Sequence, residues 1–225
     1  VSEVAQKRLQ AIKDFTEFGS GFKIAMRDME IRGAGNLLGP EQHGNMESVG
    51  YEMYCKLLDE AIRELKGEPI SQDDVEVTID INVDAYIDRE YIDNESEKIE
   101  MYKKIASIQD EQDIVDIEDE LVDRYGDIPM AVRNLIMVAY IKSLAKSTGF
   151  SSITEKDGAI ILQYVDMNRV NIQAVGGLMS KYRRQLLFNA GNSPYILYRV
   201  SGVKRDKLLD NIKILLQDIK SFEVH

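Results

Sequence analysis

Apolar positions along the chain follow two different periods, and each period predicts a different kind of element. Between residues 75 and 83, apolar and polar side chains alternate strictly, which predicts a strand with one buried face. Apolar spacings of three and four predict helices at 95–108, 110–125, 130–146, 168–182 and 204–222. The third of these helices is apolar on nearly every side, so we expect it to lie in the core.

Short apolar runs bounded by turn residues predict further strands. Residues 150–156 and 159–165 flank Asp157 and Gly158, a pair that is typical of a two-residue hairpin turn. Two more strands are predicted at 185–188 and 195–200. Because helices and strands follow one another in mixed order rather than in regular alternation, the pattern predicts an α+β fold and not a doubly wound parallel sheet.

The first third of the chain has a helical pattern. Helices are predicted at 2–18, 22–31 and 46–66, with a glycine-rich loop at 33–44 between the second and the third. Gly67 and Pro69 would stop the third helix. We therefore predict a helical hairpin with its following helix at 1–66 and a separate α+β domain at 67–225.

Charge divides the chain more sharply than hydropathy does. The 225 residues carry a net charge of -11, of which residues 67–130 account for -16, residues 1–66 for -2 and residues 131–225 for +7. A strongly acidic total argues against bulk attraction to nucleic acid. Because the acidity is local, it describes one surface of the protein.

Few side chains in the sequence could carry chemistry. One cysteine, Cys55, cannot form an internal disulfide, which favours a reduced, cytoplasmic setting, and the apolar runs are too short for a membrane span. Two histidines and one cysteine are too few for a zinc site, and the glycine-rich loop lacks the spacing of a phosphate-binding loop. We expect no catalytic residue, metal or cofactor in this chain. Because the chain starts at Val1 rather than at Met, we also expect it to be a fragment of a longer protein.

The predicted helix at 110–125 carries the most informative pattern. Four carboxylates, Asp113, Asp116, Glu120 and Asp123, recur at spacings of three and four beside its apolar stripe. A solvated face and a docking surface for a basic partner both explain such a stripe. Calcium is disfavoured, since the loop geometry and central glycine of an EF-hand are lacking. The basic residues around Lys181 are explained first by the negative end of a helix dipole.

Residues 19–44 read GSGFKIAMRDMEIRGAGNLLGPEQHG and closely resemble the translocation motif shared by bacterial transcription-repair coupling factors and RecG helicases. RecG proteins usually have Arg-Gly-Pro-Gly where this chain has RGAG, and they end soon after the motif. Here about 180 residues follow. Within them, ELVDRYG at 120–126 and then Pro129 resemble the C-terminal domain peculiar to the coupling factors.

This resemblance implies part of an ATP-driven translocase on double-stranded DNA that displaces stalled RNA polymerase and recruits nucleotide excision repair. ATP, Mg²⁺ and the motor motifs would belong to the parent protein outside this chain, which would not be an enzyme by itself. Arg8, Arg32 and Gln42 match the polar contacts of a lever that couples ATP hydrolysis to DNA movement. A simpler hypothesis is that the two arginines pair with nearby carboxylates such as Asp28 or Glu30.

For the C-terminal domain, the resemblance implies a regulatory cover. It would pack on the N-terminal repair-recruiting domain of the same protein and hide the surface that binds UvrA. The acidic contacts of that packing correspond to Glu120 and Asp123, which lie on the acidic stripe. The alternative, from a different class, is a stand-alone interaction module that binds a basic protein partner through its acidic region.

Overall fold

The computed structural model describes residues 77–223, apart from the side chains at positions 95 and 96. This part of the chain combines helices with a five-stranded sheet, which confirms the predicted α+β class. It contributes to two compact units, with residues 83–108 and 112–136 in the first and residues 77–82, 109–111 and 137–223 in the second. The elements predicted at 2–18, 22–31, 33–44 and 46–66, and the boundary after residue 66, lie outside the described residues.

The first unit is built from two helices and the beginning of a third. Helix α1 is Glu95–Ala106, α2 is Glu111–Tyr125 and α3 is Met130–Ser147, close to the three predicted ranges. Helix α1 begins after Asn94, whose side-chain oxygen accepts a hydrogen bond from the backbone nitrogen of Glu97 at 3.1 Å. Helix α2 ends just before Gly126, whose φ is +81°, a conformation that glycine adopts without strain.

A segment of the first unit without helix or strand, residues 83–94, is held by hydrogen bonds to the helices. The buried hydroxyl of Tyr102 accepts a bond from the backbone nitrogen of Ile87 at 3.0 Å. The side-chain amide of Asn134 donates to the backbone oxygen of Asp84 at 2.9 Å. Buried side chains of this unit include Ile92, Met101, Tyr102, Ile105, Leu121, Val132 and Leu135.

The sheet belongs to the second unit. Its strands are β1 (Thr78–Asp80), β2 (Phe150–Lys156), β3 (Ala159–Tyr164), β4 (Leu186–Asn189) and β5 (Tyr195–Arg199), in the order β1-β2-β3-β5-β4. Strand β1 pairs with β2 in parallel, and all other pairs are antiparallel. The predicted hairpin is confirmed: Asp157 and Gly158 have φ of +50° and +75°, and positive φ at both central residues is what the expected turn requires.

Strand β1 is shorter than the strand predicted at 75–83, of which residues 75 and 76 lie outside the described residues. The alternation nevertheless describes burial correctly, since Val77, Ile79 and Ile81 are buried. Regular pairing ends at Asp80. Beyond it, the backbone nitrogen of Asn82 donates to the side chain of Glu155 at 3.0 Å instead of to a strand.

Two helices complete the second unit and pack against each other, α4 (Ile172–Tyr182) and α5 (Leu208–Glu223). The helix predicted at 168–182 begins later, because Val170 is extended and the side chain of Asn171 accepts a hydrogen bond from the backbone nitrogen of Ala174. A 3₁₀ turn, Met167–Arg169, covers the start of the predicted range. The apolar stripe predicted for the last helix is buried at Leu208, Ile212, Leu215 and Ile219, and Phe222 is half-buried.

Helix α3 is buried on nearly every side, as its sequence predicted. Its buried residues are Val132, Leu135, Ile136, Val138, Ala139, Tyr140, Ile141, Leu144 and Ala145. Such a helix contributes apolar surface to the core from every face. Even so, none of the helices within residues 77–223 has the combination of length and apolar character that crossing a membrane would require.

Candidate docking surface on an acidic helix

Helix α2 has a buried face and an exposed face, and its four regularly spaced carboxylates differ in how close they lie to the buried face. Ile117 and Leu121 are buried, which confirms the centre of the apolar stripe. At 100° per residue, Asp113 and Glu120 lie next to this buried face, whereas Asp116 and Asp123 lie farther round the helix. Burial agrees, since the first two are half-buried and the last two are exposed.

Glu120 is neutralised by cations of the same unit. Lys104 on α1 donates to both of its carboxylate oxygens, at 2.7 and 2.8 Å. Arg124, one turn farther along α2, donates to one of these oxygens at 2.8 Å. Lys104 also lies 3.2 Å from Glu100, and Arg124 lies 3.4 Å from Glu97. The result is a chain of alternating charges that joins α1 to α2.

These contacts alter the proton affinities of the groups involved. The hydrogen bond from Lys104, followed by the one from Arg124, holds the pKa of Glu120 below its usual value. The same contact with Glu120 raises the pKa of Lys104. Glu120 is therefore ionised whenever the unit is folded near neutral pH, and its charge is compensated within the unit.

The C-terminal end of α2 is further fixed by Tyr125. Its hydroxyl donates to Glu97 on α1 at 2.7 Å, and its ring meets that of Tyr91 edge to face with centroids 5.8 Å apart. Burial, with a contribution from the hydrogen bond to Glu97, raises the pKa of Tyr125 to about 12. The guanidinium of Arg124 lies 5.0 Å from the centroid of the Tyr125 ring. These contacts hold the end of the helix in one orientation.

Asp123 has a different environment from Glu120, although only three positions separate them. It is exposed and makes no hydrogen bond or ion pair with any described residue. Asp119 is likewise exposed and unpaired among the residues described, while Asp116 accepts a bond from Gln112 on the same helix at 2.8 Å. On the side of α2 opposite its buried face, the negative charge thus belongs to Asp116, Asp119 and Asp123.

Two apolar side chains lie on the same exposed side of α2. Val115 is 48% exposed and Val122 is 50% exposed. They are seven positions apart, so they lie two turns from each other along one line of the helix. We call the five residues Val115, Asp116, Asp119, Val122 and Asp123 the α2 ridge. The valines are not among the residues that the sequence pattern predicted to carry function, although a helical projection of α2 places them opposite the buried stripe.

The α2 ridge has the chemistry of a binding surface rather than of a catalytic site. No group of three or more carboxylates, histidines or cysteines within residues 77–223 is arranged to hold a metal ion. Exposed carboxylates around two apolar side chains suit contact with a protein surface that offers basic and apolar groups. Of the residues predicted to carry function, Glu120 and Asp123 lie on α2, whereas Arg8, Arg32 and Gln42 lie outside the described residues.

Comparison with known proteins gives consistent matches along the chain. A family described as the TRCF domain matches residues 81–175. The transcription-repair-coupling factor of Bacillus subtilis (strain 168) is 41% identical over 223 residues, which are 98% of this chain and 19% of that protein. The one from Staphylococcus haemolyticus (strain JCSC1435) is 50% identical over 157 residues, 69% of this chain and 13% of that protein. The chain thus spans less than a fifth of the length of these relatives.

A solved structure shares the fold. The crystal structure of the C-terminal domain of a transcription-repair coupling factor matches with a TM-score of 0.61 and 22% identity, covering 66% of this chain and 94% of that one. At this level of identity the match concerns the fold alone.

Proposed function

Because the chain belongs to the transcription-repair-coupling factor family, we propose that it forms part of an ATP-dependent translocase on double-stranded DNA. The whole protein would displace stalled RNA polymerase and recruit nucleotide excision repair. The matches to proteins of that name over 98% and 69% of the chain support this proposal, together with the resemblance of residues 19–44 to the translocation motif. ATP and Mg²⁺ would be bound elsewhere in the parent protein, and this chain would transmit and regulate rather than catalyse.

Within that protein, the α2 ridge would dock on the N-terminal repair-recruiting domain and mask its UvrA-binding surface. The observation that carries this proposal is the exposure of Asp123 beside the half-exposed Val122, without an ionic partner among the described residues. An unpaired carboxylate can accept an arginine from another domain without breaking an existing contact. A small surface of this kind gives an interface that opens readily, which a releasable cover requires.

Glu120 and Asp123 would have separate roles in this interface. Glu120 already holds Lys104 and Arg124, so an incoming cation would have to share its carboxylate with them. Asp123 would make the direct contact, and Glu120 would position the helix that presents it. Reversing the charge of Glu120 would therefore disturb the first unit as well as the interface, whereas reversing the charge of Asp123 would affect the interface alone.

The test is UvrA binding by the intact protein. Asp123→Lys should open the cover and raise UvrA binding, since a lysine would repel the basic partner surface. Glu90→Lys is the matched control, because Glu90 is an exposed acid of the same unit that lies outside the ridge. Glu90→Lys should leave UvrA binding unchanged. If Asp123→Lys binds UvrA no better than the unchanged protein, the ridge is not the cover.

Residues 1–66 would form the lever that couples ATP hydrolysis to movement, with Arg8, Arg32 and Gln42 as its polar contacts. The donor fork of arginine and the mixed donor and acceptor of glutamine suit contacts that change partners as motor lobes close. In the intact protein, Arg32→Ala and Gln42→Ala should impair polymerase displacement and leave DNA-stimulated ATP hydrolysis largely intact. Normal displacement by both variants would remove the lever assignment.

A stand-alone module that binds a basic protein partner is the second candidate. The charge of -16 on residues 67–130 favours it, and the α2 ridge would be its binding surface as well. The reading frame upstream of Val1 distinguishes the two candidates. Paired helicase lobes with a Walker motif would support the translocase, and a gene that starts near Val1 would support the module.

A further inference from the structure

The sheet of the second unit has one buried face and an opposite, open face whose side chains are mostly half-buried or exposed. Ile153, Ile160, Leu162, Ile196 and Tyr198 point to the buried face. On the open face, the register aligns Leu187 with Leu197 and Leu197 with Ile161, so three aliphatic side chains cross three neighbouring strands in a row. Leu187, at the edge of this row, is 41% exposed.

Strand β4 is an edge strand with free backbone groups. The bond from the Tyr164 nitrogen to the Pro194 oxygen fixes which residues of β5 direct their backbone groups to β3, and therefore which direct them to β4. By this alternation, Leu186 and Phe188 direct theirs away from the sheet. The Leu186 nitrogen bonds back to the Arg183 oxygen. The Leu186 oxygen and both backbone groups of Phe188 have no partner within residues 77–223.

This edge strand is only four residues long, but it lacks the devices within a strand that usually protect an edge. Such devices are a charged residue, a proline or a bulge. Strand β4 reads Leu-Leu-Phe-Asn and pairs with β5 in continuous register. Its backbone is therefore available for pairing with another extended segment.

The end of β4 nearest its first residue is basic. Arg183 and Arg184 precede the strand and are exposed, and Arg199 on β5 is anchored there by donating to the Arg184 backbone oxygen at 2.9 Å. No aspartate or glutamate occurs between residues 167 and 205 of the sequence. The nearby carboxylate of Asp218 is occupied by Lys181 and by the Tyr182 hydroxyl. We call residues 183–189 together with Arg199 the β4 edge.

We propose that the β4 edge binds an extended acidic peptide segment of a protein partner, which adds to the sheet as a further strand. Backbone bonds to Leu186 and Phe188 would hold the segment, an apolar side chain would lie against Leu187, and carboxylates would meet the arginines. Backbone pairing supplies affinity in such complexes, and the flanking charges select the partner. This surface belongs to the second unit and does not depend on the α2 ridge.

Two other occupants are less compatible with the same surface. Single-stranded nucleic acid uses aromatic side chains as stacking platforms, whereas the central row of this face is aliphatic, with Tyr195 at its margin. A second copy of the chain would bring a second set of the same arginines to one seam without any carboxylate between residues 167 and 205. An acidic peptide supplies the missing charge.

The test uses the 225-residue chain and two immobilised peptide libraries. In one library, valine, isoleucine or leucine alternates with aspartate or glutamate, and in the other the acids are replaced by lysine or arginine. We expect binding to the acidic library only, with slowed hydrogen exchange at the Phe188 amide in the complex with the tightest peptide. Methylation of alternate backbone nitrogens of that peptide should abolish binding, because pairing needs its N–H groups.

Matched variants separate the β4 edge from general effects of charge and exposure. Arg184→Glu and Leu187→Asp should each weaken binding of the tightest acidic peptide by about tenfold or more. Lys204→Glu and Ile172→Asp, which also alter exposed side chains of the second unit, should leave its affinity within about twofold. Thermal unfolding of all four variants verifies that they are folded.

Several outcomes would overturn the proposal. These are the absence of binding to any acidic peptide, equal binding of the N-methylated peptide, and equal losses in the control variants. Tighter binding of an oligothymidine than of any acidic peptide would assign the surface to nucleic acid instead. Concentration-dependent dimerisation that Leu187→Asp abolishes would assign it to a second copy.

Discussion

Lys104 and Glu120 form a bidentate contact between α1 and α2, in which the ammonium group donates to both carboxylate oxygens at 2.7 and 2.8 Å. Arg124 adds a further bond to the same carboxylate. Asp123, the neighbour of Arg124 in the chain, has no ionic partner among the described residues. Two carboxylates of one helix thus differ in use, since one stabilises the first unit and the other is available to a partner.

Removing the charge of Glu120 should therefore cost stability, and removing that of Asp123 should not. We expect Glu120→Gln to lower the free energy of unfolding by up to about 1 kcal/mol, because half-exposed ion pairs are screened by water. Asp123→Asn should change it by less than about 0.5 kcal/mol. Urea denaturation of the chain measures both values. Equal losses would show that the contacts of Glu120 contribute nothing specific.

The contribution of Glu120 should depend on pH in a defined direction. Its pKa in the folded protein lies below the ordinary 4.5, so folding favours the ionised form. The stabilisation is therefore present above pH 4.5 and is lost as the pH falls from there through the folded pKa. The difference in stability between the unchanged chain and Glu120→Gln should narrow in that acidic range. A difference that stays constant down to acid unfolding would contradict the lowered pKa.

Adjacent glycines in α4 should respond differently to alanine. A Cβ atom added at Gly177 would lie 2.8 Å from two ring carbons of Phe222 on α5. Gly177→Ala should therefore destabilise the chain by about 1–3 kcal/mol through overpacking. At Gly176 a Cβ would meet nothing within 4 Å, and Gly176→Ala should stabilise by up to about 1 kcal/mol through helix propensity. Thermal unfolding of the two variants measures both changes in stability. A stabilising Gly177→Ala would show that Phe222 moves aside easily.

The turn between β2 and β3 allows a similar comparison. Gly158 has φ of +75°, and a Cβ there would lie 3.1 Å from the Ser201 hydroxyl. Gly158→Ala should cost about 1–2 kcal/mol, the usual penalty for a left-handed conformation. Asp157 also has positive φ, which asparagine tolerates, so Asp157→Asn should be close to neutral. Chemical denaturation measures both variants, and a neutral Gly158→Ala would mean that the turn can adopt another geometry.

Local patterns in the sequence predicted most elements because their causes are local. The apolar spacing of α2 and α5 reflects the helical period, and Asp157 with Gly158 reflects the dihedral angles of a two-residue turn. The break before α4 was missed, although Asn171 is a residue typical of a helix start. Apolar residues occur on both sides of that start, at Val170 and Ile172, so the apolar pattern alone does not mark the break.

Relationships between distant segments could not be predicted in the same way. Nothing in the sequence of β1 specifies that it pairs in parallel with β2, since the alternation reports burial and not the partner. In the sequence, nothing distinguishes the four carboxylates of α2 from one another. Glu120 differs from Asp123 because it contacts Lys104, which lies on another helix. Arg8, Arg32 and Gln42, which lie outside the described residues, stay predictions.

The parallel ladder between β1 and β2 has a consequence for the order of folding. Ile79 is paired with Ile153, so the ladder closes a loop of more than 70 residues that contains α1, α2 and α3. Closing a long loop loses chain entropy before the stabilising contacts form. The β2–β3 hairpin closes across only two residues, so its entropy loss is smaller. In refolding followed by pulsed hydrogen exchange, amides of the hairpin should become protected early and those of Thr78–Asp80 last.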